Sequence, residues 1–192
     1  MEIKTKLAAN LEVSRIVLGM WRLLDWNKTD QELLSFIQES IETGVSTFDH
    51  ADIYGNHECE AAFGKVMKNE SALRDQMQLV TKCGIKLNTS KFPERKVKYY
   101  DYSASYIVSQ VEESLKNLQT DYIDVLLLHR PSPFFNPEEV AKAFDQLKSS
   151  GKVLHFGVSN FLPLQLESLQ AYVEEPLVTN QIEISAYSLE HW

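Results

Sequence analysis

Apolar residues recur along this chain in two registers. Short runs rich in Val, Ile, Leu and Phe stand at 16–18, 47–49, 78–82, 123–128, 153–159 and 179–184. They are too continuous for strands wetted on one side and predict strands buried on both faces, as in a parallel sheet. Between them the spacing changes to three and four: Leu33, Leu34, Ile37 and Ile41 make one helical face, Ala62, Phe63, Val66 and Met67 a second, and Ile107, Val111, Leu115 and Leu118 a third.

Polar punctuation sets the boundaries. Thr29 and Glu32 predict a capping box, with Gly44 as the stop. Asn136-Pro137-Glu138-Glu139 combines an N-cap, a first-turn proline and acids at the positive end of the helix dipole, and Gly151 closes that fourth helix. A fifth helix is expected at 163–171, and a hairpin at 3–7 and 11–13 around Ala9-Asn10. The order is a hairpin, strand and helix in five repeats, then a sixth strand, with no internal boundary across 1–192.

This alternation suits either a doubly wound sheet or a barrel. No Gly-x-Gly-x-x-Gly or Walker-type loop follows a strand. Polar residues with chemistry stand after several successive strands, whereas a doubly wound sheet gathers its ligand at one switch point. The pattern therefore favours an α/β fold of the (β/α)8 TIM barrel kind.

With 44% hydrophobic residues the chain can bury a substantial core, and its net charge of −8 opposes attraction to nucleic-acid phosphate or an anionic membrane. No signal-like or membrane-crossing run is present, so the expected location is the cytoplasm. The basic stretch from Lys91 to Lys98 reads as a solvated loop. Cys59 and Cys83 are too few for a disulfide scaffold; both read as packed side chains, although Lys82 could favour a thiolate at Cys83.

Asp49, Tyr54, Lys82 and His129 each follow an apolar run, in VSTFDHADIY, MQLVTK and YIDVLLLH. Singly, each reads as a loop acid, a rim aromatic, a surface charge or a strand-end cap. Together they make a constellation: a lysine closing a buried strand needs a carboxylate such as Asp49, and its charge beside Tyr54 is expected to draw the phenol down from about 10. His129 could orient the same substrate oxygen, an arrangement suited to polarising a carbonyl while a nucleotide cofactor delivers a hydride. Two other chemistries stay open: a Schiff base at Lys82, and a metal among Asp49, His50, Asp52 and His129, although no closely spaced histidine pair supports the metal.

The segments FDHADIYG, LVTKCG, LLLHRP, GKVLHFGVSNF and TNQIEIS resemble the aldo/keto reductases, in particular bacterial members described as oxidoreductases. The resemblance implies a (β/α)8 barrel using NADP(H) on a small carbonyl or alcohol. It makes Tyr54 the general acid/base, Lys82 its pKa-lowering neighbour, Asp49 the partner of that lysine and His129 the orienting residue. Ser159, Asn160 and Gln181 then resemble the residues that bind the nicotinamide carboxamide. Gly19-Met20-Trp21-Arg22 departs from the glycine-rich turn common after the first strand, but its position suits Trp21 and Arg22 for contact with cofactor or substrate; Trp21 reads equally as a packed rim residue. His50 stands where Ser or Thr is frequent, and the segment from Glu60 to Gly64 resembles a structural helix start. The family continues through two further strand-helix units, so the expectation is an incomplete barrel with exposed edges that self-associates and binds cofactor weakly. A regulatory, cofactor-sensing protein of the same family is the alternative function.

Overall fold

A computed structural model describes residues 3–68 and 70–188. In chain order its elements are β1 (Lys4–Ala8), β2 (Leu11–Ser14), β3 (Val17–Gly19), a 3-10 turn at Leu23–Trp26, α1 (Asp30–Glu42), β4 (Thr47–Asp49), α2 (Cys59–Met67), α3 (Ser71–Arg74), β5 (Gln78–Cys83), β6 (Ile85–Lys86), β7 (Tyr99–Tyr100), α4 (Ala104–Leu118), β8 (Ile123–Leu128), α5 (Pro137–Ser149), β9 (Val153–Ser159), α6 (Pro163–Gln170) and β10 (Leu177–Gln181).

Six of the strands form one parallel sheet in the order β3-β4-β5-β8-β9-β10. Each strand lies beside its predecessor in that series, with no reversal and hence no switch point. This is the winding of a barrel wall. All six expected strands are present. The last differs in its limits: it starts at Leu177 rather than 179 and its pairing ends at Gln181, after a register shift against β9.

Each wall strand is sorted by its pleat. Leu79 packs outward with Phe48, Phe63 and Ile37 beneath α1 and α2, while Leu126, Leu128, Phe156 and Val158 pack outward against α4 and α5. Val80, Val125 and Leu127 face inward and meet Leu11 and Val13 of the β1–β2 hairpin, which fills the interior of the curled sheet. The capping box forms as expected: Thr29 N–H donates to Glu32 at 2.8 Å and Glu32 N–H to Thr29 Oγ1 at 3.3 Å. Asn136 caps α5 through a bond from Glu138 N–H at 3.0 Å.

Gly64 sits where α2 crosses α4, and a Cβ there would lie 1.9 Å from the Asn117 carbonyl oxygen. Among the described residues β3 and β10 each pair on one side only, with Ile16 and Val17 exposed beside the first edge. Among the described residues no helix is long and apolar enough to cross a membrane.

The sequence pattern does not announce the β6–β7 hairpin, which clamps the base of the basic loop through Ile85–Tyr100 and Lys86–Tyr99 pairs. Within that loop Arg95 is folded back, its guanidinium 3.6 Å from the Phe92 ring centroid, so the stretch is only partly solvated. Cys59 and Cys83 are free and buried. Burial pushes the Cys83 thiol well up, so Lys82 does not make it a thiolate.

Candidate active site

The site lies at the carboxyl ends of β4, β5 and β8. Backbone bonds continue past the strands and fix the loops: His50 N–H donates to Val80 O at 2.8 Å, Asp52 N–H to Lys82 O at 3.0 Å and His129 N–H to Cys83 O at 2.9 Å. Alternation along β5 then decides which side chain enters the mouth. Thr81 turns outward and donates to Glu60 Oε1 of α2 at 2.6 Å, whereas Lys82 shares the inner face with Val80.

Lys82 is buried at 1% exposure, and its Nζ lies 2.7 Å from each carboxylate oxygen of Asp49. The same ammonium donates to His50 O at 2.8 Å and to Tyr54 Oη at 3.2 Å. The His129 ring stands edge-on to Tyr54 with centroids 5.9 Å apart. The structure thus gathers Asp49, Tyr54, Lys82 and His129 at one mouth, around a single buried cation. Lys82 is fully engaged as a hydrogen-bond donor, which leaves little reason to read it as a Schiff-base nucleophile. Among the described residues no group of three or more His, Cys, Asp or Glu side chains is arranged to hold a metal ion.

One electrostatic expectation fails. Tyr54 is raised above its ordinary value, because burial and then the Asp49 charge disfavour phenolate and outweigh the opposing Arg130. The balance on the phenol is upward even though Lys82 Nζ donates to it at 3.2 Å, with Asp49 held against the same ammonium at 2.7 Å. In this state Tyr54 is a neutral phenol held by a cation through a hydrogen bond. His129 is lowered to about 3, first by burial and then by Lys82, so its imidazole is neutral at physiological pH; its Nδ1 is buried without a partner.

Along the same rim, the register of β9 and β10 sets Gln181 beside Ser159, and Asn160 N–H donates to Gln181 O at 3.0 Å. Asn160 adopts a φ of +57°, which turns its side chain back so that Nδ2 donates to Ser159 Oγ at 3.0 Å and Oδ1 accepts from Glu183 N–H at 3.2 Å. Asn160 thus braces Ser159, while the Gln181 side chain is exposed and Ser159 is buried. Trp21 lies 6.4 Å from Tyr54 between ring centroids, with the Arg22 guanidinium 5.4 Å from the Trp21 centroid. Both sit on the mouth, and Trp21 is 63% exposed rather than packed.

Sequence reasoning missed Tyr102. Its hydroxyl donates to Arg130 O and accepts from Arg130 N–H at 3.2 Å, fixing the peptide that follows His129. The signal was Gly84: a Cβ there would lie 2.0 Å from the Tyr102 ring, and φ is +116°. Asp52 was noted only as a metal candidate, yet both its carboxyl oxygens are buried without partners behind the site, and burial followed by Glu60 raises its pKa well above the carboxylate range. His50 is wholly buried with neither ring nitrogen partnered, and burial lowers it to about 3. Its contribution to the site is its carbonyl oxygen.

The family model described as "Aldo/keto reductase family" matches residues 15–191, and the chain belongs to that family. It is 52% identical to the uncharacterized oxidoreductase YcsN of Bacillus subtilis across 98% of this chain and 63% of that protein. It is 44% identical to a 6-dehydroglucose reductase of Agrobacterium fabrum across 93% of this chain and 61% of that one. The holo form of aldo-keto reductase AKR11C1 from Bacillus halodurans superposes with a TM-score of 0.78 at 27% identity, covering 95% of this chain and 57% of that chain. The present chain thus spans about three-fifths of the length of these relatives.

Proposed function

We propose that these residues form the catalytic side of an NADP(H)-dependent carbonyl reductase of the cytoplasm, in a single barrel domain, with the activity assigned to the protein that carries them. The observation that supports this most is the Lys82 ammonium bridging the Asp49 carboxylate to the Tyr54 hydroxyl in a buried mouth. The nicotinamide nucleotide, when bound, supplies the hydride. Ser159 and Gln181 would hold its carboxamide, with Asn160 bracing Ser159, and Trp21 and Arg22 close the opposite rim.

Tyr54 donates its Oη proton to the substrate carbonyl oxygen as the carbonyl carbon becomes an alcohol carbon, and solvent later returns a proton to the tyrosine. The Lys82 hydrogen bond stabilises the oxygen that loses the proton. Neutral His129 points an edge at the same space and orients the carbonyl. The relatives named 6-dehydroglucose reductase favour a small polar carbonyl as substrate.

The test is aldehyde-dependent loss of NADPH absorbance with the purified protein. Tyr54→Phe should lower kcat by roughly 10²–10⁴-fold, the range for a positioned proton donor, while leaving NADPH binding near wild type. Equal turnover by wild type and Tyr54→Phe at saturating NADPH would remove Tyr54 from the role. Strong NADPH binding with no turnover of any aldehyde would favour a cofactor-sensing protein.

A further inference from the structure

Two cations, Arg130 and Lys98, stand beside the mouth with no carboxylate partner among the described residues, Lys98 lying over the Tyr100 ring at 5.7 Å. Arg130 directly follows His129, and Tyr102 pins its peptide on both sides. Its side chain lines a cavity of about 400 Å³ together with Tyr100, Asn160 and Glu183. Lys98 lines a second hollow of about 360 Å³ with Tyr100, Tyr102 and Phe134. Tyr100 borders both, so the two cavities adjoin. Among the described residues no carboxylate oxygen lies within 4.0 Å of Arg130 or Lys98. Glu183, the acid in the Arg130 cavity, instead accepts from Ser185 Oγ at 3.5 Å.

These charges are felt at the reacting groups. After burial and Lys82, Arg130 and Lys98 both help to keep His129 neutral, and Arg130 is the foremost group opposing the rise at Tyr54. On a chain of net charge −8, a mouth with two cations that have no carboxylate partner among the described residues is a local reversal of sign. Such a reversal draws anions. A guanidinium also offers a planar fork that matches the two oxygens of a carboxylate.

We propose that Arg130, supported by Lys98, selects carbonyl substrates that carry a carboxylate, so that the preferred substrates are oxo acids. The inference rests on the reading of Tyr54 as proton donor to a carbonyl, and it adds the part of the substrate that lies away from the reacting carbon. Arg130 is here a binding residue, expressed in KM for the charged substrate.

The matched probes are 4-carboxybenzaldehyde and its methyl ester, nearly equal in shape and differing by one charge. Wild type should favour the acid in kcat/KM by on the order of tenfold, and added salt should reduce that preference because the cations are solvent-facing. Arg130→Met should lower kcat/KM for the acid about tenfold more than for the ester, mainly through KM, with Arg130→Lys intermediate. An acid-to-ester ratio unchanged by Arg130→Met overturns the inference. So does a rise in KM for NADPH with the ratio intact, which would assign Arg130 to cofactor phosphate. If wild type reduces neither aldehyde, the proposed reductase function fails, and binding decides the present inference separately. Selective loss of 4-carboxybenzyl alcohol binding in Arg130→Met, followed by ligand NMR against the methyl ester, supports it, and equal binding overturns it.

Discussion

Replacing Lys82 by Met removes a cation that joins β4, β5 and the Tyr54 turn. Its ammonium donates to both Asp49 oxygens at 2.7 Å, to His50 O at 2.8 Å and to Tyr54 Oη at 3.2 Å. Met fills a similar volume, so the cavity cost is small and the electrostatic cost dominates. What remains is a carboxylate at 8% exposure whose one side-chain partner among the described residues was the missing ammonium. Breaking a buried pair from one side costs about 3–5 kcal/mol, because the surviving charge stays desolvated. At about 2–4 °C per kcal/mol for a chain of this size, the melting temperature should fall by roughly 6–20 °C. Adding Asp49→Asn to Lys82→Met removes that charge and should recover part of the loss. The assay is urea unfolding of wild type, both single variants and the double variant at neutral pH, read as a double-mutant cycle. A coupling energy near zero, or a Lys82→Met variant within about 1 kcal/mol of wild type, would show that the pair does not hold the strand ends together.

The other predictions concern buried groups outside that pair. Asp52 keeps its proton in the fold well above the pH at which an unfolded aspartate loses it, near 3.9, so folding binds the extra proton and stability falls as pH rises through and above that value. Asp52→Asn should therefore gain on wild type between pH 4 and pH 8 in thermal melts; parallel curves would contradict the buried neutral carboxyl. His50 and His129 stay uncharged down to about pH 3 when folded but protonate near 6.5 when unfolded, so they contribute stability above 6.5 that is lost as pH falls toward 3. The loss should approach about 1.4 kcal/mol per pH unit for each histidine, and a His50→Ser variant should lose less on acidification than wild type. Gly64→Ala should destabilise by roughly 1–3 kcal/mol or more, since its Cβ meets a backbone oxygen at 1.9 Å that cannot rotate away. A near-neutral melt would show that α2 and α4 have room to separate.

The alternation of buried runs and amphipathic segments was sufficient to determine the six parallel strands and the five longer helices between them, though not the short α3, because burial on both faces of a strand and on one face of a helix leaves different periods. It also determined which residues stand at strand ends, and so the four that meet at the mouth. The tertiary structure decided what those residues do to one another. Charge and adjacency suggested that Lys82 lowers Tyr54; the fold placed Asp49 against the ammonium and buried the phenol, and desolvation with the carboxylate outweighed the cation. Tyr102 carries no motif, yet the close approach of its ring to Gly84 lets it fix the Arg130 peptide, a relation between β5, the chain before α4 and the end of β8 that no local pattern encodes. Asn160 was marked by resemblance alone; the structure adds a left-handed backbone and a bond from its Nδ2 to Ser159 Oγ that the sequence does not announce. Local sequence sets periodicity and caps through short-range sterics and burial, whereas pKa, partner choice and cavity charge depend on groups brought together from distant parts of the chain by the closing sheet.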